Sequence, residues 1–448
     1  MNRHLLISLI LVTTLAGPLW AEDVSYDRYA PIWGEGPLKQ RPSPAAESLH
    51  AFEKHFLVYP FELVRWPIDE TLYFIEDRHL DDKADWIYEQ MKNHGFTPKI
   101  RSISGSRTDN FGGGFDIELL RLLALKDRFP NTTVEGSAIW TFNAVTDYQV
   151  KLLQEQIAGT GVRIGGNFGY ETRGEAHFYG IGPHSSLGDG TSYRTERTTL
   201  ETLVGYGFLN TWDARGKFSF QNVNVGDGDD GRRGIIDDIF VRRRGQTIPG
   251  LAGDEMLSWG LELEHDNRDN HEVPTGGGYE RFHFSFNKGT ENNAGFFKYR
   301  GEIAHFFKFS SERRVLAFRG VMEHNDEIGD REVPFFEMAR LGGYGTSPRI
   351  GDAHRGYRRD RFYDESVMLF NAEYRWNILE YRDWRVDPAV YCDVGQVFGE
   401  WSSFRFDDFR VSYGLGLRVV YEKEVVLSID IARGNEGTEF YVKTRTPF

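Results

Sequence analysis

Residues 367–378 read VMLFNAEYRWNI, and their alternation decides the fold. Met368, Phe370, Ala372, Tyr374, Trp376 and Ile378 share one parity, while Asn371, Glu373, Arg375 and Asn377 share the other. A period of two is the mark of a strand with two unlike faces. The same alternation returns in RVSYGLGLRVVY (410–421), where Val411, Tyr413, Leu415, Leu417, Val419 and Tyr421 oppose Ser412, Gly414, Gly416 and Arg418. It returns again in YERFHFSFN (279–287), LSWGLELEHD (257–266) and FKYRGEIAHFFKF (297–309). A soluble sandwich alternates too, but its inward face is nearly free of charge. Here the polar face carries Arg, Glu, Lys and Asn together and the apolar face is dominated by rings. A transmembrane β-barrel accommodates both, with rings and aliphatics toward lipid and ion pairs toward a polar lumen.

Composition points the same way. Phe, Tyr and Trp make up 15% of the 448 residues and there are 49 glycines, rich for a water-soluble chain. A mean hydropathy of -0.49 is compatible with a barrel because half of each strand faces luminal charge or water. The turn-rich breaks NKGTENNAG, FSSERR, NILEYRDW and YEKE separate the strands. At about ten residues per tilted strand plus connections, residues from about 110 to 448 accommodate about sixteen strands. The fold expected is therefore all-β, an antiparallel transmembrane barrel over 97–448. The last strand, EFYVKTRTPF, puts Phe440, Val442, Thr444, Thr446 and Phe448 on one face, and Phe448 reads as a C-terminal assembly signal. Pro447 has no N–H to give a ladder, so closure at the carboxyl end is expected to be weak.

The amino end differs. Residues 1–21 have a basic start, an apolar run and Ala21 at the cleavage position, the pattern of a secretory signal. Residues 22–96 are expected to form a mainly helical periplasmic segment, with helices over SPAAESLHAFEKHF (43–56) and DDKADWIYEQMKNHG (81–95). Between them, YPFELVRWPIDETLYFI (59–75) is amphipathic and is expected to pack under the barrel.

Several classes of chemistry are excluded. A single cysteine, Cys392, allows no intramolecular disulfide and no cysteine-based metal cluster. A net charge of -14 argues against a nucleic-acid partner. The 13 histidines form no HExxH spacing, and no serine nucleophile elbow is found, so no enzyme, metal or cofactor is expected. GDGDDG at 226–231 suggests a calcium loop but lacks the distal Glu, and reads as a solvated loop.

From about residue 255 onward the chain resembles the BamA/TamA superfamily of outer-membrane assembly and translocation barrels. The resemblance rests on LELEHDNRDNHEVPTGGGYERFHF, on VPFFEMARLGGYGTSPRIGDAHRGYRRDRF with its Arg-Gly-aromatic motif, and on YCDVGQVF, in that order. The first 100 residues do not match the POTRA modules usual in the family. The resemblance implies a sixth loop folded back into the barrel, so that Arg355 pairs with Asp393 on the thirteenth strand. Arg presents a fork suited to a carboxylate, Gly356 permits a sharp turn, and Tyr357 packs as a plug. Asp393 and Gly395 share the luminal parity, opposite Cys392 and Val394. Glu373 and Arg375 are expected in the layer behind the pair, while Arg358, Arg359 and Arg361 are expected in water at the loop base. The implied function is insertion or translocation of nascent outer-membrane or exported proteins by a monomeric barrel in the lipid of the outer membrane, through a weak seam between first and last strands. The alternative is a passive or selective pore constricted by loop six.

Overall fold

The computed structural model describes residues 86, 89–101, 112–141, 145–157, 159–228, 235–309, 314–344, 354–443 and 446. The expected signal segment at 1–21, the expected helix at 43–56, the stretch 59–75 and Phe448 lie outside the described residues. Residues 89–93 are helical and end at Gly95, whose φ of +78° turns the chain into the first strand.

Among the described residues the first eight strands are β1 (Phe96–Arg101), β2 (Gly112–Glu118), β3 (Thr132–Thr141), β4 (Val145–Gln154), β5 (Val162–Phe178), β6 (Thr191–Phe208), β7 (Trp212–Asp227) and β8 (Asp254–Asp266). They are followed by β9 (Gly277–Gly289), β10 (Gly295–Lys308), β11 (Arg314–Glu327), β12 (Ala339–Leu341), β13 (Phe362–Asp364) and β14 (Ser366–Trp376). The chain ends with β15 (Leu379–Tyr381), β16 (Trp384–Phe398), β17 (Arg410–Tyr421), β18 (Glu424–Gly434) and β19 (Gly437–Lys443). Seventeen of these form one sheet, and β12 with β13 forms a second, two-stranded one. Both β14 and β15 pair with β16, so they are one pass interrupted at Asn377 and Ile378, and the large sheet makes sixteen passes.

Each pass is antiparallel to the next in sequence, from β1–β2 through β18–β19. Successive connections therefore alternate between two rims. One rim carries long loops, including 179–190, 228–253, 328–365 and 399–409; the other carries shorter turns such as 209–211, 382–383 and 422–423. The 328–365 connection, which contains β12 and β13, is the sixth on the loop rim. The sheet is curled, because the loops of distant strands meet: Arg410 donates to the Pro183 carbonyl at 2.6 Å, and Tyr363 to the His177 carbonyl at 2.9 Å.

Parity sorts the two faces. Outward side chains such as Phe168, Leu200, Trp259, Leu261, Phe282, Phe370, Tyr413, Leu415 and Phe440 are exposed, forming the apolar surface a lipid-facing wall requires. Inward charges are paired. Arg215 bonds Glu262 at 2.7 Å, Arg281 bonds Glu264 at 3.0 Å, and Arg319 bonds Glu302 at 2.7 Å. On the loop rim, Phe178, Tyr193, Phe240, Phe335, Phe336 and Tyr363 form a buried aromatic core that joins loop six to the loops after β5 and β7.

Candidate functional site

The sixth loop turns into the lumen at His354, whose backbone pairs with Gly343. Arg355 follows and is fully buried. Its Nε and one terminal nitrogen donate to the two carboxylate oxygens of Asp393 on β16, each at 2.8 Å, and its backbone N–H adds a third bond at 3.0 Å. The remaining terminal nitrogen donates to Glu373 on β14 at 2.7 Å and stands 3.6 Å from Asp430 on β18. The guanidinium carbon lies 3.3 Å from the centroid of the Tyr391 ring, a cation–π contact at short range. One arginine thus gathers three strands.

Around it the charges balance. Arg375 donates to Glu373 at 2.7 Å, and Arg418 donates to Asp430 at 2.7 Å while lying 3.6 Å from Glu373. Three guanidinium groups face three carboxylates, all six side chains being almost or wholly sealed from solvent. Asn371 donates to Asp393 at 2.8 Å and Tyr344 donates to Asp430 at 3.2 Å, which satisfies lone pairs that the arginines leave. Burial at this depth is tolerable only where each charge faces an opposite one in this way.

Glycine makes the approach possible. Gly356 has φ +88°, and a Cβ there would lie 2.8 Å from the Gly434 nitrogen and 2.9 Å from the Ser412 Cβ. No other residue fits between β17 and β18 at that distance. At Gly395 a Cβ would crowd Leu341 of β12, so this luminal position leaves room for the loop. Tyr357 packs with Leu341, Phe362, Val367 and Leu369, and its hydroxyl reaches the Val411 carbonyl at 3.4 Å. The last strand takes part as well. Tyr441 on β19 accepts the Gly356 N–H at 3.2 Å and donates to the Tyr357 carbonyl at 2.9 Å.

Two expectations need correction. Glu373 is not behind the pair but bonds Arg355 directly; Arg375 occupies the outer layer. Arg361 is not in water: it is buried, grips both carboxylate oxygens of Glu436, and donates to the Ser185 hydroxyl and carbonyl at 2.9 and 2.7 Å. Its guanidinium is sandwiched by Tyr179 and Phe362 at 4.8 and 4.4 Å. Arg358 and Arg359 are partly exposed. Asp430, Tyr391, Asn371, Arg418 and Tyr441 are not singled out by the sequence. Asp430 has a usable signal, since it interrupts the outward Ile429 and Ile431 of LSIDIARG as a lone carboxylate of luminal parity. Among the described residues no cluster fit for a metal ion occurs; of GDGDDG, residues 226–228 are described and 229–231 lie outside.

These features define a class: a barrel of sixteen antiparallel passes among the described residues, whose sixth rim loop is bonded to three strands through one buried arginine. The sequence matches the Omp85 superfamily domain over residues 136–432, well over half of the chain. The chain belongs to the Omp85 superfamily, a class of outer-membrane insertion and translocation barrels rather than enzymes. Among solved structures it is similar to BamA from Haemophilus ducreyi lacking POTRA domains 1-3, at 14% identity and a TM-score of 0.54, over 81% of this chain and 78% of that one. It is also similar to CdiB from Escherichia coli, at 10% identity and a TM-score of 0.52, over 78% of this chain and 61% of CdiB. At such identities the likeness is one of fold. No curated protein sequence is a significant match.

Proposed function

We propose that this barrel inserts or translocates protein substrates at the outer membrane through a weak junction of its first and last strands, and that the arrangement seen is its closed resting state. The loop rim then faces the cell exterior and the turn rim the periplasm. The observation that carries this reading is the double hydrogen bond from Tyr441 to the Arg355-Gly356-Tyr357 segment. Through it, the residues that seal the lumen also hold the last strand. A strand edge offers unpaired N–H and C=O groups that template an incoming strand, so freeing β19 would expose such an edge.

The test is a photo-crosslinking residue in place of Phe440, which faces outward on β19. During active synthesis of outer-membrane proteins, covalent adducts with those proteins are expected, and they should be absent when the crosslinker replaces Phe168 on β5. Adducts with lipid alone at both positions would sink the proposal. A large, steady conductance in planar bilayers, unchanged by Arg355→Ala, would instead establish a passive pore.

A further inference from the structure

The motif HDNRDNHEVPTGG (265–277) supplies the turn between β8 and β9, and nothing in the loop-six site accounts for its length or its chemistry. The turn is stiffened by its own side chains. Arg268 clasps Asp266 through Nε at 2.9 Å and a terminal nitrogen at 2.7 Å, while its guanidinium covers the Tyr279 ring at 4.8 Å. Asp269 accepts the Thr275 hydroxyl and backbone N–H. Asn270 accepts the backbone N–H groups of Glu272 and Val273 at 2.7 and 3.0 Å, and Asn267 accepts that of Gly278 at 2.6 Å.

So braced, the turn does not stay with its own hairpin. Asn270 donates to the carbonyl of Lys423, in the β17–β18 turn, at 3.0 Å. Val273 is buried against Val420 and Val425. Thr446, three residues beyond the end of β19, donates to the Glu272 carbonyl at 3.0 Å. From β9 to β17 the wall takes five strand steps of about 4.8 Å each, so the turn spans about 24 Å of wall. It can meet those partners only by crossing the turn-side mouth.

We infer that the β8–β9 turn is a strut across the mouth that pins Thr446, beyond β19. Polar self-bonding keeps the strut rigid, and one apolar side chain plus two hydrogen bonds attach it. Loop six holds β19 through Tyr441 nearer the middle of the wall; the strut holds Thr446, beyond β19, at the turn rim. Only the bearing of the strut on opening the last strand rests on the proposed function.

The test uses the full-length protein in membranes with Cys392→Ser as background. The pair Glu272→Cys and Thr446→Cys is expected to form a disulfide under mild oxidation in the compact, heat-modifiable form, as readily as the control pair Ile429→Cys and Val442→Cys on neighbouring strands. With Thr446→Cys alone, adding Asn270→Ala and Val273→Ala should speed thiol labelling in the compact form about tenfold or more, because they remove the bond to Lys423, the two bonds that brace the turn and the Val273 packing. Failure of the first pair to bridge while the control pair does, or labelling unchanged by the two alanines, would overturn the strut. Absence of client adducts at position 440 would leave both results intact and bear on the proposed function alone.

Discussion

At the scale of single residues, the geometry of Arg355 explains why no other cation serves. Its fork spends two nitrogens on one carboxylate and the third on another, while its flat face rests on Tyr391. A lysine offers one point of charge and no plane. Arg355→Ala leaves Asp393 without its bidentate partner and Glu373 with one guanidinium bond fewer, in a site sealed from water. Breaking a buried pair from one side costs about 3–5 kcal/mol. The urea midpoint of barrel unfolding is therefore expected to fall most for Arg355→Ala and by an intermediate amount for Arg355→Lys. Equal midpoints for the alanine variant and the wild type would show that the pair carries no stability. Arg355 and Asp393 were legible because HRGY and YCDVGQVF resemble the motifs of a known family, which implies their pairing, and because Asp393 has the luminal parity of its strand. Asp430 and Tyr391 were not, because the sequence does not show which of many inward polar groups the loop tip will reach.

Elements were legible to very different degrees. Strands such as VMLFNAEYRWNI declare themselves, since a lipid face and a luminal face impose opposite chemistry on successive residues, and sixteen passes follow from length. Loop six does not declare itself. Arg361 and Arg358 look alike in HRGYRRDRF, yet the first is buried because Ser185, 176 residues earlier, and Glu436, 75 residues later, close on it. That contact ties loop six to the β18–β19 turn as well as to the wall. A double-mutant cycle of Arg361→Ala and Glu436→Ala should give a coupling of about 1–3 kcal/mol in unfolding, as groups in direct contact do. Strict additivity of the two variants would mean that the loop and the last hairpin are held together elsewhere.

At the scale of the whole molecule, the loop rim is one interlocked cap, and its charges make its stability depend on pH. Arg244 reaches Asp189 at 2.6 Å, joining the loops after β7 and β5, while Arg361 and Arg410 bring the sixth and seventh loops to the same place. At the base of loop six, burial pushes Asp364 up to about 6. Burial, reinforced by the nearby Glu327, Asp364 and Glu400, pushes Glu365 up to about 7. Both carboxyls therefore bind protons more tightly in the folded cap than in the unfolded chain, where ordinary values are 3.8 and 4.5. Their contribution is fully present below the unfolded values and is lost as pH rises through about 6 and 7. The cap should thus resist protease cleavage in loop six better at about pH 5 than at about pH 8, when digestion is scaled to an unfolded substrate at each pH. Glu365→Gln cannot ionise, so it should remove much of that difference by protecting the cap at the higher pH. An unchanged pH profile in that variant would mean that the softening arises from other groups on the rim.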